Sequence, residues 1–368
     1  MIMKILIAPD KFKGSLSALQ VCNAIYKGLK NFNPSLDIIT CPLADGGEGS
    51  LETMNHYLNL EAEELVVNDP LFRPIKSTYY RSKETAYIEM SAASGLVLLK
   101  KEERNCMFTS SLGTGELIAD AIKKGATTIH LFIGGSATND GGIGMASALG
   151  YQFYDASENL LSPIGQNLNS INRIDKSHLN FNPEDVTVKV VCDVNNPLYG
   201  KNGAAYVYAA QKGASLIEIE QLNQGLINLA SKLIRHDFPN IADTPGAGAA
   251  GGIGGGAMAF LGAELISGIQ NFIKITQLES LIKKCDLVIT GEGKLDAQTE
   301  HGKVMSGVCN LAKQYDKPIV AVCGDAEKGV SEKLGLKKVY TLLERTNSNE
   351  EAMENGEIYL EKIGMELL

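Results

Sequence analysis

Residues 134–142 read Gly-Gly-Ser-Ala-Thr-Asn-Asp-Gly-Gly, straight after the apolar run 128–133. Two glycine pairs bracket Ser136, Thr138, Asn139 and Asp140. Glycines such as Gly134 and Gly135 let backbone N–H groups approach a phosphate, and carboxylates hold Mg²⁺. The same recipe recurs along the chain. Asp10, Lys11, Lys13 and Gly14 follow one apolar run, and Asp45 and Glu48 lie among three glycines in 42–50. Asp193, Asn195 and Asn196 follow the run 186–192. Glu292, Lys294, Asp296 and Lys303 follow 286–290, and Gly324-Asp325 follows 318–323. Any one such loop is explained as a turn, because Asp, Asn and Gly are default turn residues. Six of them, each pairing a carboxylate with glycine, point to a bound ligand.

These loops need strands to aim them. Short apolar strands alternate with amphipathic helices, which is the α/β pattern. Strands are expected at 4–8, 37–41, 286–290, 318–323 and 338–343. With helices between them they make an open parallel sheet of flavodoxin type, built from both chain ends. Ser17 and Gln20 form a capping box for the helix that follows, and 303–315 carries a second apolar face. The middle reads differently. Turn signals at 68–70 and 81–83 divide 62–90 into an antiparallel meander, and strands follow at 128–133 and 186–192. The chain is therefore expected to hold two α/β domains. Residues 1–60 and 271–368 form the flavodoxin-like one, and 61–270 an inserted domain with a mixed sheet. Ligands of parallel sheets sit beyond the carboxyl ends of the strands, where the loops above lie.

Composition narrows the function. The formal charge is −9, with no basic stripe, which argues against a nucleic-acid footprint. The seven cysteines are scattered with no C-x-x-C pair, the usage of reduced core thiols in a cytoplasmic protein. Pro9-Asp10 cuts short the apolar start, so no signal peptide is read there. Residues 246–269 are apolar but too rich in glycine for a membrane helix.

Within that stretch Gly246, Gly248 and Gly251 match G-x-G-x-x-G. No strand precedes them and Pro245 breaks any ladder, so a nicotinamide fingerprint is rejected. Gly248, Gly251 and Gly252 could still form an anion site at the start of a helix over 257–261, or simply let that helix pack closely. Lys303 opens a helix, where the macrodipole disfavours a cation by ~0.3–1 kcal/mol; a bound anion would relieve this. Neither a P-loop nor the protein-kinase motif set occurs.

The blocks 8–18 (APDKFKGSLSA), 42–49 (PLADGGEG), 89–96 (EMSAASGL), 113–118 (GTGELI), 134–142, 192–205 (CDVNNPLYGKNGAA), 246–252 (GAGAAGG) and 291–299 (GEGKLDAQT) appear in this order. Together they make the chain resemble type I glycerate kinases from end to end. The resemblance implies ATP-dependent phosphorylation of D-glycerate at the 2-hydroxyl, with Mg²⁺, in a cleft between two α/β domains. The residue roles are inferred from chemistry. Asp193 and Asp296 are the preferred pair for accepting the hydroxyl proton and binding metal, with Glu292 beside Asp296. Lys11, Lys13 and Lys303 would meet phosphate or the glycerate carboxylate. Gly134, Gly135, Ser136, Thr138, Gly248, Gly251 and Gly252 would cradle the nucleotide. Asp10, Asp45, Glu48, Ser91, Ser94, Thr114, Asn139, Asp140 and Asn195 are expected around the substrate. A kinase of another small hydroxy acid, or a nucleotide- or sugar-acid-binding regulator without turnover, remains an alternative. A homodimer is left open.

Overall fold

The computed structural model describes residues 2–47, 49–296, 299, 304–327 and 329–368. Strands β1 (Lys4–Ile7) and β2 (Asp37–Thr40) open the chain. Then come β3 (Glu61–Asn68), β4 (Pro74–Ser82), β5 (Thr85–Glu89), β6 (Thr128–Phe132), β7 (Gln152–Tyr154), β8 (Arg173–Asp175), β9 (Thr187–Val191) and β10 (Glu264–Ile266). Strands β11 (Leu287–Leu295), β12 (Ile319–Ala326) and β13 (Lys338–Thr341) close it.

The first sheet has the order β13-β12-β11-β1-β2, and every pairing is parallel. Counted within this sheet alone, that is the flavodoxin-like order 2-1-3-4-5, with its switch point between β1 and β11. Its core is aliphatic, with Ile5, Ile7, Ile289 and Val322 packed against Val21, Ile25 and Leu29 of helix Ala18–Phe32. The expected capping box starts that helix: Gln20 N–H donates to Ser17 Oγ, and Ser17 N–H to Gln20 Oε1. The second sheet is mixed, in the order β10-β9-β6-β5-β4-β3. Strands β3, β4 and β5 form the antiparallel meander, and β5, β6, β9 and β10 run parallel. Strands β7 and β8 pair antiparallel in a two-stranded sheet of their own, with β8 inside the polar region 155–185.

Contacts divide the chain into two units. One runs up to Asp45, takes in Glu52–Tyr57 and resumes over Ser267–Leu368; the other holds Gly46–Leu51 and Leu58–Ile266. Among the described residues no helix is long and apolar enough to cross a membrane. All seven cysteines are free thiols.

Two strands depart from expectation. Strand β11 runs on through Gly291–Leu295 and β12 through Gly324–Ala326, where loops were expected. The reason lies in close packing between neighbours. A Cβ on Gly291 would sit 2.0 Å from the Val322 carbonyl oxygen, and one on Gly324 would sit 2.4 Å from that of Gly293. These glycines let paired strands approach and do not mark a turn.

Candidate active site

In the first unit a cavity of about 550 Å³ opens at the carboxyl ends of β1, β2, β11 and β12. The turn after β1 contributes Asp10, Lys11, Phe12 and Lys13, and the segment after β2 contributes Asp45. Strand β11 and its end supply Glu292, Lys294 and Asp296, and β12 supplies Asp325. Asn349 and Met353, from helix Asn349–Glu354, complete one wall. Of the expected residues, Asp10, Lys11, Lys13, Asp45, Glu292 and Asp296 thus share one cavity. Glu48 and Lys303 lie outside the described residues.

Asp10 is strongly perturbed. Its backbone N–H is spent on the Gly291 carbonyl, which pins it at the switch point. Burial pushes its carboxyl up to about 8, and the neighbouring charges of Asp45 and Glu292 push the same way against the Lys11 N–H and ammonium. Glu292 is buried too and accepts a hydrogen bond from the Thr299 hydroxyl at 2.5 Å. Asp296 follows β11 directly and accepts, at its carbonyl, the Thr299 N–H at 3.0 Å. Among the described residues no three acidic, histidine or cysteine side chains converge to hold a metal alone. Hard carboxylate oxygens lining one cavity suit Mg²⁺, which normally completes its shell with phosphate and water. Glu292 and Asp296 fit that donor set.

The second unit carries its own group at the carboxyl ends of β5, β6 and β9. The loop after β6 crosses that after β5: Leu96 N–H donates to the Gly135 carbonyl and Ala137 N–H to the Ser94 carbonyl. Gly135 is exposed and takes a left-handed φ of 73°, a conformation that favours glycine. Asp193 is half-buried and Asn195 exposed, just beyond β9.

Several residues expected to touch ligand have other work. Ser94 and Thr114 are fully buried, and the Thr114 hydroxyl donates to Ser94 Oγ at 2.8 Å. Asp140 is also fully buried. It accepts the Ser111 N–H and hydroxyl and the N–H groups of Gly142 and Gly144, a set of bonds that organises the turn into helix Ile143–Ala148. Burial still holds its pKa above the ordinary value against those bonds. Gly248, Gly251 and Gly252 pack on protein backbone. Added Cβ atoms there would lie 2.2 Å from the Pro197 carbonyl oxygen, 2.0 Å from that of Thr138 and 2.8 Å from Gly141 Cα. Gly248 N–H is bonded to the Asn196 carbonyl. Close packing, one of the two readings of this stretch, accounts for all three. Helix Ala249–Leu261, which begins earlier than the expected 257, is interrupted there by left-handed residues at 250–252.

The sequence model of the glycerate kinase family matches residues 5–368. The glycerate 2-kinase of Escherichia coli K12 is 45% identical over 96% of this chain and 94% of its own. The glycerate kinase of Halalkalibacterium halodurans is 41% identical over 97% and 95%. A crystal structure from Salmonella typhimurium LT2, provisionally named glycerate kinase 2, superposes with a TM-score of 0.84 at 40% identity, covering 100% of this chain and 98% of that one.

The chain belongs to the glycerate kinase family. Within that frame two kinds of residue escaped the sequence reading. Asn349 and Met353 reach the cavity from a C-terminal helix whose own pattern is polar and ordinary. Lys212 is buried, yet it sits in Ala-Gln-Lys-Gly, which reads as a surface turn.

The acidic cavity of this glycerate kinase family member has a consequence for stability. Asp10 titrates near 8 when folded against 3.8 for its ordinary value. Between those pH values the folded state binds the proton more tightly than the unfolded chain, so this group makes stability fall as pH rises from about 4 to about 8. Asp10→Asn keeps an acceptor for the Lys11 N–H (2.7 Å to Oδ1 in the parent) and removes the charge. The ligand-free variant should be more stable at pH 8 by on the order of 1–3 kcal/mol and match the parent near pH 4. Thermal melts from pH 4 to 9 read this directly; parallel curves for the two proteins would refute it.

Proposed function

We propose that this protein transfers the γ-phosphoryl group of ATP to the 2-hydroxyl of D-glycerate, with Mg²⁺ required. The observation that carries the reading is the grouping of Asp10, Asp45, Glu292 and Asp296 with Lys11 and Lys13 on one cavity at a flavodoxin-type switch point. Phosphoryl transfer is mostly positioning and charge neutralisation, and such a mixed set of charges serves both. The choice of the 2-hydroxyl is supported by the similarity to the E. coli enzyme named glycerate 2-kinase.

In this reading Asp193 accepts the proton of the attacking hydroxyl. The new O–P bond forms as the β,γ P–O bond breaks, and ADP leaves. Glu292 and Asp296 would hold the metal, which would neutralise phosphate charge. Lys11 and Lys13 meet phosphate or the glycerate carboxylate. Gly134, Gly135, Ser136 and Thr138 bind the nucleotide, and Ser91, Asn139 and Asn195 belong to the substrate side.

Mixing the protein with ATP, Mg²⁺ and D-glycerate should give 2-phosphoglycerate by phosphorus NMR. The 3-phospho isomer would refute the regiochemistry, and no product would refute the activity. Excess EDTA should abolish turnover and Mg²⁺ or Mn²⁺ should restore it. Full activity in chelator would remove the metal role from Glu292 and Asp296.

A further inference from the structure

Lys212 ends a short 3₁₀ turn, Ala210–Lys212, and its side chain runs inward until only 3% of the residue is exposed. Its Nζ donates to Ser136 Oγ and to the Thr138 carbonyl, both at 2.7 Å. Both acceptors are neutral oxygens of the loop after β6. Burial pulls the ammonium pKa down to about 8, while Cys106 and Asp140 nearby act to raise it. A buried ammonium is costly, and an apolar side chain of similar length would fill the space without that cost.

The loop around it is held on every side. Asp140 anchors its far end through Ser111, Gly142 and Gly144, Thr109 donates to the Ala137 carbonyl, and Gly251 lies against the Thr138 carbonyl. Between these anchors Thr138 Oγ1 and both polar atoms of the Asn139 amide are buried with no hydrogen-bond partner among the described residues. Buried polar atoms of native folds are nearly always paired, so groups left this way mark a place prepared for something else. The peptide unit is planar, so fixing the Thr138 carbonyl also fixes the direction of the Asn139 N–H.

We propose that Lys212 is a positioning residue for nucleotide binding, which acts through Ser136 and the Thr138 carbonyl to set the conformation of the loop 134–140. The nucleotide part of this inference rests on the loop assignment in the proposed function.

The test uses the full chain with Lys212→Met, measuring ATP and glycerate kinetics per folded molecule. A second readout is the thermal shift given by a non-hydrolysable ATP analogue. The expected result is an ATP KM raised about tenfold, with kcat within about threefold and glycerate KM within about twofold. The analogue's thermal shift should shrink in parallel. Ser136→Ala, which removes one acceptor and leaves the ammonium on Thr138, should raise ATP KM about threefold or more. If Lys212→Met does not fold, Lys212→Gln, which removes the ammonium and keeps a polar side chain, is measured in its place. Folded variants with parental KM for both substrates overturn the proposal and leave the reaction itself untouched. A rise in glycerate KM alone keeps Lys212 as a positioning residue but overturns the nucleotide assignment of the loop.

Discussion

Asp193→Asn should lower kcat by about 10²–10⁴ with little change in nucleotide affinity, because the amide keeps the shape and loses the base. Asp193 lies two residues beyond β9, at the carboxyl end of a parallel strand. Asp296 follows β11 directly, so both preferred aspartates sit at strand ends. Rigidity therefore does not separate them. Their company does. Asp296 lines a cavity with Asp10, Asp45 and Glu292, a crowd of carboxylates that suits a cation. Asp193 is followed by neutral Asn195 and Asn196. Asp296→Asn should accordingly raise the Mg²⁺ requirement and recover partly in excess metal. A turn-capping Asp193 would instead lose roughly 1 kcal/mol of stability and keep near-normal kcat. Measuring kcat, metal dependence and melting temperature on both variants separates the cases. Normal turnover of Asp193→Asn, or rescue of that variant by metal in place of Asp296→Asn, would overturn the assignment.

The parts of the fold that were legible are those where pattern and packing agree. The five strands of the first sheet and the meander at 62–90 follow from apolar runs and turn residues, and the structure has them. The GEGKL segment failed because glycine has two uses. At Gly291 it serves a close strand contact, and a sequence shows the same letter for that as for a turn. The loop carboxylates were equally ambiguous. Asp10 and Asp140 look alike in sequence, but one lines a cavity and the other is consumed by four donors. What distinguishes them is which backbone N–H groups lie nearby, a tertiary fact. Lys212 was invisible for the opposite reason. Lysine is almost never fully buried, so nothing in its immediate sequence argued against exposure.

Gly251→Ala should be among the most destabilising single substitutions in the second unit. Gly251 has φ 73°, and its missing Cβ would lie 2.0 Å from the Thr138 oxygen and 2.7 Å from Asn139 Cα. Left-handed backbone costs a residue with Cβ roughly 1–2 kcal/mol. Forcing two backbones apart in a packed interior adds about 1–3 kcal/mol, since neither neighbour is a flexible side-chain tip. Gly200→Ala supplies the control: its φ is 88°, but a Cβ there meets nothing within 4 Å. It should lose only the conformational part, about 1–2 kcal/mol. The difference between the two variants in urea or thermal unfolding therefore measures the contact alone. The contact also has a functional edge. The Thr138 oxygen that an alanine at 251 would displace is the one that Lys212 Nζ holds at 2.7 Å. In the folded fraction Gly251→Ala should therefore weaken nucleotide binding in the same direction as Lys212→Met, whereas Gly200→Ala should not. Equal stability losses for the two glycine variants would show that the loop yields freely, and that its conformation is not set by the backbone packed against it.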